Sequence, residues 1–207
     1  MEQVLDVYRR PYDKDYPVVC LDESPKQLIA ATRQPIKKQN GETLHDYEYQ
    51  RNGVCDIYML FEPLGGKRHL RVTDTHNRLD WGSIVSELAE RIYPAAKKIT
   101  LVQDNLSAHK PSALYELFEP EHAKRILDKI EFIYTPKHGS WLNMAECELS
   151  VLSRQCLNVR IADKRTLIKK VKAWQTERNE KQTMTNWRFT TKDARIKLKR
   201  LYPTYVA

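Results

Sequence analysis

Several things are scarce in this 207-residue sequence, and each shortage excludes a class of protein. No apolar run approaches the roughly 20 residues needed to cross a bilayer. The opening, Met-Glu-Gln-Val-Leu-Asp, has no basic region before an apolar segment, so no secretion leader is expected. The expectation is a cytoplasmic protein with no membrane partner. There are only four cysteines, Cys20, Cys55, Cys147 and Cys156, and they are too scattered for a zinc knuckle or a redox motif. They are expected to be reduced and buried, without chemistry of their own. Core formers are not scarce: 41% hydrophobic and 30% charged residues is ordinary globular usage, and the length suits one domain.

The net charge of +8 is unevenly placed. From Arg160 onward there are 14 Lys and Arg against four acids, a surplus of ten, which leaves −2 for the rest of the chain. A charge run usually means a solvated helix face. Here its density, with Trp174, Trp187 and Tyr202 interleaved, points to a polyanion such as nucleic acid.

Periodicity orders the elements. Residues 1–16 are polar and contain proline, and they lead into an apolar strand, Pro17-Val-Val-Cys-Leu-Asp22. Residues 25–42 read as a loop. Val54–Glu62 and Lys67–Val72, joined by Pro63-Leu-Gly-Gly66, form a hairpin. Ile84, Val85, Leu88 and Ile92 recur at helical spacing over 80–93, with Asp80 or Ser83 available as the cap. A strand at Ile99–Asp104 follows, then helical stretches at 112–118 and 121–128, a strand at Ile130–Tyr134, a loop at 135–140, a long helix over 141–157 and a last helix over 164–178. Lys192 to Pro203 is expected to form a helix and an extended tail. This order predicts an α/β fold with a mixed sheet flanked by helices, in which a crossover sets the first and fourth strands side by side.

Three carboxylates then stand out. Asp22 and Asp104 each end an apolar run, where a strand is expected to reach the sheet's edge. Glu146 lies beside the apolar stripe Leu142, Ala145, Leu149, Leu152 and Cys156, while Glu148 turns further away. Read alone, Glu146 is a helix-start carboxylate favoured by the dipole. Converging acids repel unless a cation balances them or one is protonated. Hard oxygen ligands without a Cys or His cluster point to Mg²⁺ or Mn²⁺, and a pair of ions about 3.5 to 4 Å apart suits phosphodiester chemistry.

The wording of the motifs adds to this. Val19-Cys-Leu-Asp-Glu23, Asp104-Asn-Leu-Ser-Ala-His109 and Tyr134-Thr-Pro-Lys-His-Gly-Ser-Trp-Leu-Asn143 followed by Met-Ala-Glu146 resemble the catalytic core of DDE transposases, specifically the bacterial insertion-sequence branch of the mariner superfamily. The resemblance covers nearly the whole chain. It implies an RNase H-like fold, with residues 1–180 as the catalytic domain and 181–207 as its basic C-terminal extension. It implies cut-and-paste chemistry on DNA: water cleaves the element's ends, and the freed 3′-hydroxyl attacks target DNA, usually at a TA step. Asp22 would bridge two Mg²⁺ or Mn²⁺ ions, while Asp104 and Glu146 would each hold one. The partners implied are element ends, target DNA and a second copy of the chain, in a bacterial, nucleoid-associated setting.

Residues around the trio are expected to support it or touch DNA. They are Glu23, Asn105, His109, Trp141 and Asn143. His109 orients a carboxylate, contacts the DNA backbone, or is a structural histidine at a helix start. Trp141 stacks on a distorted base or packs under its loop.

The sequence departs from the family pattern in three places. Asn143-Met-Ala-Glu146 replaces the common Asn-Pro-Ile-Glu, which removes a helix-favouring proline but keeps the carboxylate in register. The 41 residues between Asp104 and Glu146 exceed the usual mid-thirties, with the excess expected in the polar stretch 119–129. Only 21 residues precede Asp22, so the paired helix-turn-helix units that recognise terminal repeats are expected to be missing. The alternative is therefore a non-catalytic remnant that binds DNA through its basic C-terminal region. A junction-resolvase-like nuclease would share the ions, but the motif wording argues against it.

Overall fold

The computed structural model describes every residue except 35, 42, 45, 138 and 203–207. His138, in the loop before the last acidic motif, and Pro203, in the expected tail, lie outside the described residues. In chain order the elements are α1 (Glu2–Tyr8), β1 (Val18–Ala31), the short β2 (Ile36–Lys37) and β3 (Thr43–Leu44), β4 (Tyr49–Glu62), β5 (Lys67–Thr73), α2 (Arg78–Glu87), β6 (Ile99–Gln103), α3 (Ser112–Leu117), α4 (Pro120–Asp128), β7 (Ile130–Tyr134), α5 (Met144–Leu152), α6 (Lys164–Glu180) and α7 (Thr191–Lys197). Wider π-type turns, Leu88–Ile92 and Ser153–Leu157, prolong α2 and α5. Among the described residues no helix is long and apolar enough to cross a membrane.

Five strands form one mixed sheet in the order β5-β4-β1-β6-β7. β4 is antiparallel to both β1 and β5, while β6 is parallel to both β1 and β7. The strands bearing Asp22 and Asp104 are therefore neighbours, joined by a crossover through α2. Alternation along each strand supplies two cores. Cys20, Ile57, Met59 and Val102 meet α1, α5, α6 and α7 on one face. Val19, Leu21, Tyr58, Leu60 and Leu101 meet α2, α3 and α4 on the other.

Three expectations need correction. Residues 1–16 are not merely a polar lead-in, because α1 buries Val4, Leu5, Val7 and Tyr8. The stretch from Pro25 is not a loop: β1 runs 14 residues to Ala31, through Pro25. Beyond Cys20 and Val102 the strand has lost β6 and pairs with β4 alone, so one edge is free and a missing N–H is tolerated. The cap of α2 is neither Asp80 nor Ser83. Asn77 accepts from the backbone of Leu79 and Asp80, and Asp80 reaches back to the Asn77 N–H as a capping box.

The hairpin joining β4 and β5 is drawn tightly against the end of α6. Gly66 has φ +62°, and a Cβ there would stand 2.8 Å from the Gln182 backbone carbonyl. Thr185 N–H donates to Pro63 O at 2.9 Å. Beneath this contact the buried Arg68 and the half-buried Arg178 both hold Glu148, each at 2.8 Å. Glu148 was expected to turn further from the strip that carries Glu146; it does so by going into the core, where it is 3% exposed. Cys20 and Cys55 are buried as expected, whereas Cys147 is exposed and Cys156 half-buried, and all four are free thiols.

Candidate active site

Asp22 is not at a strand end, as expected from its sequence; it is the fifth residue of a strand that continues for nine more. What ends nearby is the partner. The β1 and β6 ladder closes at Cys20 opposite Val102, so Asp22 and Asp104 are equivalent positions two residues further along. Asp22 follows Cys20 in the alternation, on the face covered by α5, and Glu23 follows Leu21 on the face covered by α2. Asp104 is the first residue beyond β6.

α5 brings the third carboxylate. Asn143 caps this helix, its Oδ1 accepting from Ala145 N–H at 3.2 Å, while its Nδ2 donates to Leu21 O at 2.8 Å. One amide thus ties the helix start to the backbone carbonyl just before Asp22. Glu146 follows in the first turn, where the positive end of the helix favours an ionised carboxylate. The predicted long helix is really a 3₁₀ turn at Ser140–Leu142, the Asn143 break and then α5. Losing the proline of the common motif leaves this start intact because Asn143 supplies the cap.

The charges of Glu23, Glu146 and Asp104 all act on Asp22. Burial, then this like-charge crowding, raises its pKa to about 7, against the hydrogen bond from Glu23 N–H. Among the described residues, no three His, Cys, Asp or Glu side chains stand close enough together to ligate one ion as they are. The donors are nonetheless all carboxylate oxygens, and a half-buried acid on which three further acids act is an environment a hard cation would neutralise.

His109 is 1% exposed and lies between two acids. Its Nδ1 is 2.6 Å from Asp104 Oδ1 and its Nε2 is 3.4 Å from Glu23 Oε2. Neither contact is aligned as a hydrogen bond, so the attraction is chiefly ionic. Burial would lower the imidazole pKa, but Asp104 and Glu23 outweigh it and raise the pKa to about 9. The other expected support residues are less engaged. Asn105 is exposed. Trp141 is 39% exposed and meets Phe189 edge-on at 6.4 Å, so it packs beside its loop and keeps one side open.

The basic C-terminal region divides by face. Leu167, Val171 and Trp174 are buried on α6, while Arg165, Lys169 and Lys172 are exposed at helical spacing on another side. Trp174 and Trp187 pack on the core, so these two aromatics are structural rather than an open stacking platform. The sequence reading missed Glu148 and its two arginines. A buried acid two residues after Glu146 has no local signature, since its partners come from β5 and the far end of α6.

Comparisons with known proteins agree with this geometry. Residues 17–168, which contain all three acids, match the family model described as DDE superfamily endonuclease. Among curated proteins, no sequence matches. The fold resembles the crystal structure of the Mos1 mariner paired end complex with Mn, at TM-score 0.58 and 16% identity, covering 88% of this chain and 55% of that one. It also resembles the Mos1 transposase paired-end complex with left transposon end, at TM-score 0.57 and 14% identity, covering 88% and 58%. The chain thus spans little more than half the length of the chains it matches. At such identity the likeness is one of fold, and the sheet with its flanking helices is RNase H-like.

Proposed function

This chain belongs to the DDE superfamily endonucleases, and from that premise we propose that it is the catalytic domain of a cut-and-paste DNA transposase. It cleaves DNA at element ends and joins the freed 3′-hydroxyl to target DNA, as in the bacterial insertion-sequence branch of the mariner superfamily whose motif wording it shares. One observation carries the reading: Asp22 and Asp104 occupy equivalent positions just past the last β1–β6 pair, and the charge of Glu146 on the adjoining helix acts on Asp22.

The oxygen-only donor set fits Mg²⁺ or Mn²⁺, and one similar structure was solved with Mn. Asp22, Asp104 and Glu146 are the residues that would hold such ions, two by this reading. Bound ions of this kind activate the attacking hydroxyl and stabilise the leaving oxygen of a phosphodiester. The chain's own contribution is placement. β1 presents Asp22 from inside a hydrogen-bonded strand, and Asn143 sets the start of α5, whose first turn carries Glu146. The exposed Arg165, Lys169 and Lys172 attract the DNA backbone. The partners are element ends, target DNA and a second copy of the chain.

The test is strand transfer of pre-cleaved ends into target DNA with Mn²⁺ present. Asp104→Asn is expected to abolish product; an unchanged yield sinks the proposal. Salt-sensitive DNA binding without product at any metal concentration would instead favour the non-catalytic DNA-binding reading.

A further inference from the structure

Backbone pairing does not hold Asp22 and Asp104 at a fixed separation. The β1–β6 ladder stops at Cys20 and Val102. Past that point β1 keeps β4, and Gln103 O still accepts from Thr135 N–H at 2.9 Å on the β7 side, but the Asp104 exit has no ladder bond to β1. What crosses this gap is a side chain. His109 folds back from the loop after Asp104, where its N–H donates to Leu106 O at 3.1 Å, and its ring reaches Asp104 on one strand and Glu23 on the other.

The ring is itself braced. Trp81, fully buried, stacks on it at 6.0 Å between ring centres and 21° between planes. The Trp81 indole N–H donates to Gln103 Oε1 at 3.0 Å, and Gln103 Nε2 donates to His109 O at 3.4 Å. The ring is 1% exposed and has an acid within 2.6 Å on one side and within 3.4 Å on the other, so it has no room to swing away from either.

We infer that Glu23 and His109 are positioning residues, a side-chain bridge that continues the β1–β6 ladder where its backbone bonds end and so sets the spacing of Asp22 and Asp104. The inference rests on the metal-site reading above. Glu23 is assigned no direct part in ion binding; it acts through His109, which acts through Asp104.

A single substitution of Glu23 is ambiguous, since removing an acid near the site would by itself change its attraction for Mn²⁺. The Glu23→Gln/His109→Gln double variant takes the bridge apart from both ends and keeps a polar side chain at each position. Mn²⁺ binding by the whole chain is followed by electron paramagnetic resonance of the free ion at pH 7.5, with thermal unfolding recorded alongside. The double variant is expected to bind about 10-fold or more weakly, as for lost outer-shell partners of metal ligands. Binding as tight as in the native chain overturns the inference, and so does a lowered melting temperature with unchanged affinity, which would make the bridge merely structural. If the double variant fails to fold, Glu23→Asp keeps the charge while shortening the reach by one methylene. It is expected to weaken Mn²⁺ several-fold, and native-like affinity there also overturns the inference. Asp104→Asn separates the two levels: if it binds Mn²⁺ like the native chain, the metal-site reading fails, whatever the bridge does.

Discussion

Glu148 and Glu146 lie two residues apart on one helix and serve opposite sides of it: the charge of Glu146 acts on Asp22, while the Glu148 carboxylate is gripped by Arg68 and Arg178. Two residues on an α-helix turn it through about 200°, so fixing Glu148 also fixes the rotation that aims Glu146. Arg68 has no exposure and further donates to Gly66 O and Thr183 O, which joins the hairpin turn and the end of α6 to the same point.

Replacing Glu148 by Ala strands two guanidinium groups, one of them wholly buried. The expected loss is roughly 3–5 kcal/mol of folding stability. Urea unfolding measures it, and a loss below about 1 kcal/mol would show that the network carries little.

Asn143 has two duties, and they can be separated. Asn143→Ser keeps an oxygen to cap α5 but is too short to reach Leu21 O as well; Asn143→Ala loses both. The Ala variant is expected to cost more, with the cap contributing roughly 0.5–2 kcal/mol of the difference. Equal costs for the two variants would mean that the cap is idle.

For Asp22 the pH dependence follows from sign. Its folded pKa, about 7, lies above the ordinary value of 3.8, so the folded chain holds a proton that the unfolded chain has released. Metal-free protein is therefore expected to be more stable near pH 5 than near pH 8, the loss developing as pH rises from about 4 through about 7. Asp22→Asn should flatten this trend. Added Mn²⁺ should raise the melting temperature more at pH 8 than at pH 5, because at pH 5 it must displace the proton. Melting curves with chelator and with Mn²⁺ decide it; equal Mn²⁺ shifts at both pH values would count against a metal at Asp22.

The thiols should react in order of exposure. Burial pushes the Cys20 thiol up to about 12 and raises Cys55 as well; burial and the charges of Glu146 and Glu148 also raise Cys147, but of the three it alone is exposed, so access sets the order. Limited alkylation at pH 8 with peptide mass mapping should mark Cys147 well before Cys20. Early modification of Cys20 would mean that the core under Tyr8 opens readily.

The exposed stripe on α6 gives a measurement independent of catalysis. Changing Arg165, Lys169 and Lys172 together to Ala should weaken binding across DNA sequences and lower the slope of log affinity against log salt by roughly 2 to 3. An unchanged slope would move the DNA contact elsewhere. Asp104→Asn should leave this slope alone.

Much of this architecture was legible before any coordinates, for identifiable reasons. From Val54 onward the strands are apolar runs between turn signals, and α2 and α6 carry clear helical stripes, so order and type could be read. The β1 continuation was hidden by Pro25, which ordinarily ends a strand and is tolerated here only because β6 has already stopped. α1 was hidden because seven residues hold barely two turns and its cap makes no side-chain hydrogen bond. The trio Asp22, Asp104 and Glu146 was nameable from its motifs, and Glu23 and His109 were suspected beside it. That those two grip each other was not readable, since the contact exists only once β1 and the loop after β6 are side by side. Glu148 looked like one more polar helix residue because nothing near it in sequence announces Arg68 or Arg178.

The long reach of β1 makes the three acids unequal in how they are anchored. Asp22 is embedded in a strand that runs on for nine residues, so displacing it means bending the sheet. Asp104 hangs at the exit of β6 and Glu146 rides on a short helix pinned at its start. Asp22 is thus held by the sheet's own backbone, whereas Asp104 and Glu146 are held in place by side chains, His109 for the one and Asn143 with Glu148 for the other.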